Sequence, residues 1–310
     1  MTFILKETEL ENKSMTDFRT GVHTIEFQTS KYLKLSDLPE KYSNAISPVE
    51  SKNKRYKLSL PKVHGVPEYS NPADTQQDIE EAFTEFANMG AVYPKVTRID
   101  YRFDNYSGVY ADNLQLMTVL VNLIAHKGGI YDRRVFYTDG NHVITSVRCM
   151  PDKKDETAKY GVEYYDKPKQ AKTDEYGNAR FELRRLNMEG ETVAYVLREW
   201  RDMFKTITRK NYLAMLDAHA QSLCAMRQDG ETATRFVKRM RCMLIGYEEW
   251  HKLCKLNGKH TKDYDKLPAL PKWENIKLFI DNLTAQLDRE LDQPLTDPIT
   301  RKQVTNELPF

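Results

Sequence analysis

The chain has 310 residues, of which 40% are hydrophobic and 30% are charged, so it can bury the core of one or two domains and still carry a solvated surface. No run approaches the roughly 18 apolar residues of a membrane span, and the opening MTFILKETELENKS turns polar after four residues, so neither a membrane partner nor a signal peptide is expected. Four widely spaced cysteines form no CxxC pair, which argues against a disulfide framework or a zinc site and favours a cytoplasmic location.

Charge is distributed unevenly along the chain. The formal net charge is only +2, but residues 198–262 hold 14 lysines and arginines against 7 aspartates and glutamates. A local basic excess is the electrostatic footprint of a phosphate-binding surface. A solvated helical face is the alternative, and the composition alone does not separate the two.

The first part of the chain is predicted to mix strands and one helix. Residues 1–20 are expected to form a flexible arm. Alternation of apolar and polar residues predicts strands over 22–29 and 55–60. A helix is predicted over 75–89, because Thr75 and Asp78 resemble a capping box and Gly90 supplies a stop.

The middle of the chain carries the clearest strand, over 96–104, followed by an apolar helix over 112–127 that Gly128 and Gly129 end. Four further strands are predicted, at 133–138, 143–148, 160–166 and 179–186. After Gly190 helical periodicity dominates, over 191–256 and again over 272–291.

These elements predict an α+β fold with a central, mainly antiparallel sheet and flanking helices, followed by a helical C-terminal region. We assign residues 21–190 to an α+β nicking and strand-transfer domain. Residues 191–292 form the helical region, which serves in DNA binding or in docking onto the sheet. Residues 293–310 are expected to be a loose tail.

Three of the predicted strands alternate apolar with charged residues. Because successive side chains of a strand point to opposite faces, one face of RIDYRFD carries Ile99, Tyr101 and Phe103. The other face of that strand carries Arg98, Asp100, Arg102 and Asp104. By the same alternation, the polar faces of the two later strands carry Glu163, Tyr165, Arg180, Glu182 and Arg184. If the three strands pair, a tyrosine, carboxylates and arginines share one surface.

Cleavage of a phosphodiester by a tyrosine needs parts of this kind. A phenol with an ordinary pKa of roughly 10 is a weak nucleophile and needs help to lose its proton. Carboxylate-bound Mg²⁺ or Mn²⁺ polarises a phosphate, and arginines grip its oxygens. Asp100 and Asp104 are about 13 Å apart along an extended strand, so Asp100 and Glu182 rank above Asp104 as metal ligands. A salt-bridge ladder on a wet sheet face is the alternative.

The order of three short motifs resembles one known family. RIDYRFD is followed by YYDKPK about 65 residues later and by RFEL about 15 residues after that. This order is similar to the Rep_trans family of rolling-circle replication initiators of staphylococcal-type plasmids, which has relaxase-like relatives on integrative conjugative elements. The resemblance covers residues 95–205 and reaches the rest of the chain only in outline.

The resemblance implies a role for individual residues. Tyr165 falls on the family's nucleophile, Asp100 and Asp104 on its first two acids, and Glu182 on its later glutamate. Lys167 falls on a phosphate or DNA contact. The chain departs from the family pattern at Glu163, where a basic residue is common, and at Arg184, where a second acid sometimes stands. No His-hydrophobic-His triplet occurs, and the seven histidines are interpreted as ordinary surface or packing residues.

DNA contacts are expected from two sets of basic residues. Arg98, Arg102 and Arg180 lie on the polar strand faces. On a helix predicted between 231 and 256, Arg235, Lys238 and Arg239 share one face by their i, i+3, i+4 spacing, and we expect this face to bind origin phosphates. The resemblance further implies double- and single-stranded DNA at an origin as partners, a homodimer, and a helicase.

The sequence therefore predicts a metal-dependent replication initiator that nicks and religates one DNA strand. Tyr165 would form a 5′-phosphotyrosyl link and leave a free 3′-OH. Three alternatives remain open: a conjugative relaxase with the same chemistry, a non-catalytic DNA-binding regulator on the same fold, and an unrelated soluble α+β protein whose charged faces are simply solvated.

Overall fold

The computed structural model describes residues 18–49, 54–64, 72–105, 110–130, 134–138, 144–151, 159–171, 179–224, 230–232, 234–235 and 270–295. Its strands are β1 (Phe18–Gln28), β2 (Ile46–Pro48), β3 (Arg55–Ser59), β4 (Lys95–Asn105), β5 (Arg134–Thr138), β6 (Ile144–Cys149), β7 (Tyr160–Tyr165) and β8 (Ala179–Leu186). Its helices are α1 (Glu40–Ser43), α2 (Leu60–His64), α3 (Pro72–Asn88), α4 (Tyr110–Lys127), α5 (Lys167–Ala171), α6 (Val193–Lys205), α7 (Arg209–Cys224) and α8 (Trp273–Leu291), and a short 3-10 helix spans Leu35–Asp37.

The strands form one sheet in the order β2-β3-β1-β4-β8-β7-β6-β5. Every strand pair in it is antiparallel. The prediction of an α+β fold with a mainly antiparallel sheet and flanking helices is thereby confirmed. The three strands that carry the sequence motifs, β4, β8 and β7, are consecutive neighbours in the middle of the sheet, so the motifs share one surface.

One face of the sheet is apolar and is covered by helices. On this face Phe27 stacks on Phe86 of α3 with ring centroids 4.8 Å apart, and Tyr160 contacts Trp200 of α6 at 5.0 Å. Helix α4 packs on β6 and β7, and α8 packs on α6. Dense packing of aromatic and aliphatic side chains against this face forms the hydrophobic core.

The opposite, polar face is also removed from solvent. Asp100, Asp104 and Glu182 are 3%, 1% and 4% exposed. We expected the charged strand face to be exposed to water, but in the structure these three carboxyl groups are buried. Burial of several charges is tolerable only where each has an oppositely charged or hydrogen-bonding partner, and the polar face supplies such partners.

Several element boundaries differ from the sequence expectation for local reasons. The strand predicted over 55–60 ends at Ser59, and Leu60 begins α2, where Pro61 in the first helical turn is well accommodated. The helical region predicted from Glu191 onward begins with two separate helices, α6 and α7. At the start of α7, Thr208 and Asn211 form a reciprocal cap, with Thr208 N to Asn211 Oδ1 at 2.9 Å.

The ends of the predicted divisions fall partly beyond the described residues. The arm predicted over 1–20 overlaps β1 from Phe18 onward, and residues 1–17 lie outside the description. Residues 236–269, with most of the predicted basic helix, and residues 296–310 of the predicted tail also lie outside it. No helix among the described residues is long and apolar enough to cross a membrane.

Candidate active site

The register of the three central strands arranges the polar face as a grid. Asp100 of β4 lies opposite Arg184 of β8, and Asp104 lies opposite Arg180. On the other side of β8, Arg180 lies opposite Tyr165 of β7. On β4 and β8 acids and arginines therefore alternate both along and across the strands. On β7, by contrast, Glu163 lies directly opposite Glu182.

The Tyr165 hydroxyl lies between a carboxylate and a guanidinium group. Its hydroxyl donates a hydrogen bond to Glu182 Oε2 at 3.0 Å, and Arg180 Nη1 lies 3.5 Å from the same hydroxyl oxygen. Burial, and then the negative charge of Glu182, raise the pKa of Tyr165 well above its usual value. The phenol is therefore protonated at rest, with its proton already directed at a carboxylate.

Glu182 is held in its ionised form. Burial alone would raise its pKa, but the guanidinium of Arg184 and other nearby cationic side chains lower the pKa of this carboxyl well below its usual range. Arg184 Nε donates to Glu182 Oε1 at 2.6 Å. Glu182 is consequently always available as a proton acceptor, although a weak one.

Arg180 is fixed by Asp104. The guanidinium donates to both carboxylate oxygens of Asp104, from Nη2 to Oδ2 at 2.8 Å and from Nε to Oδ1. Such a bidentate pair orients the planar guanidinium rigidly. Arg102 Nη1 also lies 3.4 Å from Asp104 Oδ2. Asp104 thus acts as an anchor for arginines here.

Arg184 lies among three carboxylates. Besides Glu182 it contacts Glu163 Oε2 from Nη2 at 2.5 Å, and its Nε is 4.0 Å from Asp100 Oδ1. Ser146 Oγ donates to the other oxygen of Glu163 at 2.7 Å. The two positions at which the sequence departs from the family pattern, Glu163 and Arg184, are therefore partners of each other.

Asp100 is paired with a third arginine. Arg98 donates to both of its oxygens, from Nε at 2.5 Å and from Nη2, and to Glu26 of β1 from Nη1 at 2.7 Å. Burial, which outweighs the charge of Arg98, raises the pKa of Asp100 to about 6.

His23 is a member of this face that the sequence did not reveal. It lies at a β-bulge, where the register of β1 against β4 shifts between Val22 and Thr24. A bulge redirects side chains. Burial, and then the positive charge of Arg180, lower the pKa of His23 well below its usual value, so it is neutral near pH 7. Simple alternation could not have predicted this placement, because the bulge has no sequence signal of its own here.

Lys167 begins α5 beside the tyrosine. Its Nζ lies 5.7 Å from the centroid of the Tyr165 ring. Burial, and then the charge of Arg180, lower the pKa of Lys167 to about 8. A cation at this position is suited to contact a phosphate that approaches the hydroxyl.

The predicted Mg²⁺ or Mn²⁺ site would have to use oxygens that these ion pairs and hydrogen bonds occupy. A hard divalent ion needs about six oxygen ligands around one point. Both oxygens of Asp100, Glu163 and Glu182 accept hydrogen bonds from arginine, serine or tyrosine, and the Arg184 guanidinium stands between them. Among the described residues no group of three acidic, histidine or cysteine side chains is placed to hold a metal ion. In this arrangement the residues do not fit the ion.

The structure brings most predicted site residues together. Tyr165, Asp100, Glu182, Asp104, Lys167, Arg98, Arg102 and Arg180 all belong to the polar face or its rim. Arg235 is described, and its backbone N–H donates to Thr232 Oγ1 at 3.3 Å. Lys238 and Arg239 lie outside the described residues, so the predicted phosphate-binding helix face stays a prediction.

Comparison with known proteins finds similarity among solved structures but none among protein families or curated sequences. No protein family model matches the chain, and no curated protein matches it. Among solved structures, the chain is similar to a rolling circle replication initiator protein from Geobacillus stearothermophilus, with 11% sequence identity, a TM-score of 0.34, and coverage of 74% of this chain and 97% of that chain. A superposition at this TM-score does not establish a shared fold.

Proposed function

We propose that this protein nicks and rejoins one DNA strand with Tyr165 as the nucleophile, as an initiator of rolling-circle replication. One observation carries the proposal: the Tyr165 hydroxyl donates to Glu182 at 3.0 Å and lies 3.5 Å from Arg180. A nucleophile, a proton acceptor and a phosphate-binding cation are the three groups that such a transfer requires. The order of the sequence motifs is further support.

These contacts support the following reaction. The Tyr165 oxygen attacks the phosphorus while its proton passes to Glu182. The bond from phosphorus to the 3′ oxygen breaks, so the 5′ phosphate stays on the tyrosine and the 3′ oxygen leaves. Lys167, with its pKa lowered to about 8, donates the proton that this oxygen needs. Because one phosphodiester is exchanged for another, the reverse attack by the 3′-OH rejoins the strand.

Proton transfer and attack must occur together. The pKa of Tyr165 is raised and that of Glu182 is lowered, so a free tyrosinate is a minor species at rest. Arg180 compensates negative charge as it develops on the phosphate. Since Tyr165 is 3% exposed, DNA has to open the polar face before the phosphate can reach the hydroxyl. Resting burial thereby protects the nucleophile until a strand is bound.

The proposal is tested by replacing Tyr165, with the neighbouring Tyr164 as a matched control. Tyr164 points to the opposite face and is buried in the core. Purified protein is incubated with supercoiled origin plasmid or labelled single strands, and covalent protein–DNA adducts are separated on denaturing gels. Tyr165→Phe should abolish the adduct and retain DNA binding, whereas Tyr164→Phe should keep both.

The outcomes distinguish the alternatives. An adduct that maps by mass spectrometry to another residue rules out Tyr165. DNA binding without any nicking by the wild-type chain identifies a non-catalytic regulator, and absence of DNA affinity identifies a protein with merely charged faces. A conjugative relaxase shares the chemistry and is distinguished by cleavage at a transfer origin. A homodimer and a helicase partner belong to the same proposal and are tested by light scattering and by co-purification.

A further inference from the structure

Three acids of the polar face share one counter-ion within the protein. Asp100, Glu163 and Glu182 are 3%, 4% and 4% exposed, and Arg184 lies 4.0, 2.5 and 2.6 Å from them. Three carboxylates buried this closely repel one another unless a cation stands between them. In many proteins that cation is a bound divalent ion.

Arg184 bridges two carboxylates rather than forming a single ion pair on the surface. Its Nε and Nη2 serve two different acids, and a planar guanidinium is well suited to such a shared position. A dication within coordination distance of the same oxygens would lie next to this positive charge and be repelled by it. The guanidinium and the ion therefore compete for one place.

We propose that Arg184 is the resident cation of the Asp100–Glu163–Glu182 cluster and occupies the place that a divalent ion would otherwise take. Removal of its charge should therefore free the oxygens of Glu163 and Glu182 that Arg184 now occupies for a metal ion, beside Asp100, which Arg98 keeps paired. The native chain, by contrast, should bind no ion there. The inference rests on the proposed function only in that the same polar face carries Tyr165.

The experiment is a Mn²⁺ titration of the full chain without DNA, followed by calorimetry and by electron paramagnetic resonance of the free ion. Arg184→Met removes the charge at similar length, and Arg184→Lys is the matched control that keeps it. We expect the Met variant to bind one Mn²⁺ at least about tenfold more tightly than the wild type or the Lys variant. Addition of Glu182→Gln to Arg184→Met should abolish the gain.

Two results would overturn the inference. One is a single Mn²⁺ on the wild-type chain that disappears with Glu182→Gln; this needs no Arg184 variant and decides the matter even if Arg184→Met fails to fold. The other is a folded Arg184→Met protein that binds Mn²⁺ no better than the wild type. Because neither measurement involves DNA, failure here leaves the tyrosine adduct assay untouched, and failure of that assay leaves the cation assignment standing.

Discussion

The two faces of the central sheet are made from alternate residues of the same strands, yet they are stabilised in different ways. On β4, Tyr101 and Phe103 enter the apolar face, while Arg102 and Asp104 enter the polar face, and all four are 1% exposed. The apolar face contributes through surface removed from water and through close packing. The polar face compensates the burial of its charges by pairing them.

This difference determines how each face responds to change. Truncation of an apolar side chain costs stability through the lost transfer free energy and the cavity left behind, and it leaves no uncompensated charge. The stability lost on removing a paired charge depends on whether its partner remains. Deleting one member leaves the other buried and uncompensated, whereas deleting both can cost little. A face of the second kind suits the proposed function, in which DNA opens the site, because its charges can exchange protein partners for phosphates.

The largest effect is expected on the apolar face, from Trp200→Ala. Trp200 is fully buried, with its ring 5.0 Å from Tyr160 and 6.1 Å from Phe204. Its removal should lower the free energy of unfolding by about 3–5 kcal/mol, measured by urea denaturation. Tyr195→Ala on the same helix, where the side chain is 50% exposed, is the control and should change it by less than about 0.5 kcal/mol. Equal losses in the two variants would contradict the assigned core.

The second largest effect is expected on the polar face, when one charge of a buried pair is removed. Asp104→Asn should destabilise the fold by about 3 kcal/mol, because Arg180 keeps its charge and loses its bidentate partner. The double variant Asp104→Leu/Arg180→Met should recover part of that loss, because Arg102 also loses its contact with Asp104. Double-mutant analysis of denaturation curves measures the coupling. Losses that simply add in the double variant would mean that the two groups are independent.

Sequence alternation predicted which residues face which way, because the period of a strand is two and β4, β7 and β8 are regular. It identified Tyr165, Glu182 and Arg180 as members of one surface. It could not predict that this surface is buried, since burial depends on what lies above it. Nor could it pair Arg180 with Asp104, because strand order and register are set by tertiary contacts between segments far apart in sequence.

Irregular geometry accounts for the remaining differences. His23 reaches the polar face only through the bulge in β1, and the break before α7 depends on the reciprocal cap of Thr208 and Asn211. Helical periodicity runs through residues 191–224, so it predicted helical structure but not the point at which one helix ends and the next begins. Hydrogen bonds between the side chains and the backbone of Thr208 and Asn211 set that point.

The apolar side of the sheet also holds a buried carboxylate, Glu290, but its hydrogen bonds come from neutral groups rather than from arginines. Glu290 of α8 accepts from Thr20 of β1 and from Gln286 at 3.3 Å, and burial raises the pKa of Glu290 to about 7. The folded state therefore binds the proton more tightly than the unfolded chain. The contribution of Glu290 to stability should be fully present below about pH 4.5 and be lost as pH rises to about 7, by on the order of 2 kcal/mol.

Glu290→Gln checks this pH dependence, because the amide cannot ionise. The variant should be more stable than the wild type at pH 8, and this difference should shrink as pH falls from 7 to 5, as followed by denaturation at a series of pH values. Subtracting the two curves removes the contributions of Asp100 and His23, which are common to both proteins. Asp288→Asn, at a half-buried position of α8, is the control and should show no such change in its difference from the wild type between pH 5 and 7. A difference between Glu290→Gln and the wild type that does not depend on pH would contradict the assignment.

The smallest effects come from two single hydroxyl groups, one for each face. Ser146→Ala removes the donor to Glu163 at 2.7 Å and leaves a buried carboxylate oxygen unsatisfied, so we expect a loss of about 2 kcal/mol. Thr192→Ala removes the cap of α6, where the hydroxyl accepts from Tyr195 N at 3.2 Å, and should cost about 1 kcal/mol. Water can replace the exposed cap, whereas the carboxylate beneath the polar face has no such substitute. Thermal and urea unfolding of the two variants side by side would measure the ratio. A loss at Thr192 that exceeds the loss at Ser146 would mean that water reaches the polar face at rest, and that the charges there are less dependent on one another than their contacts indicate.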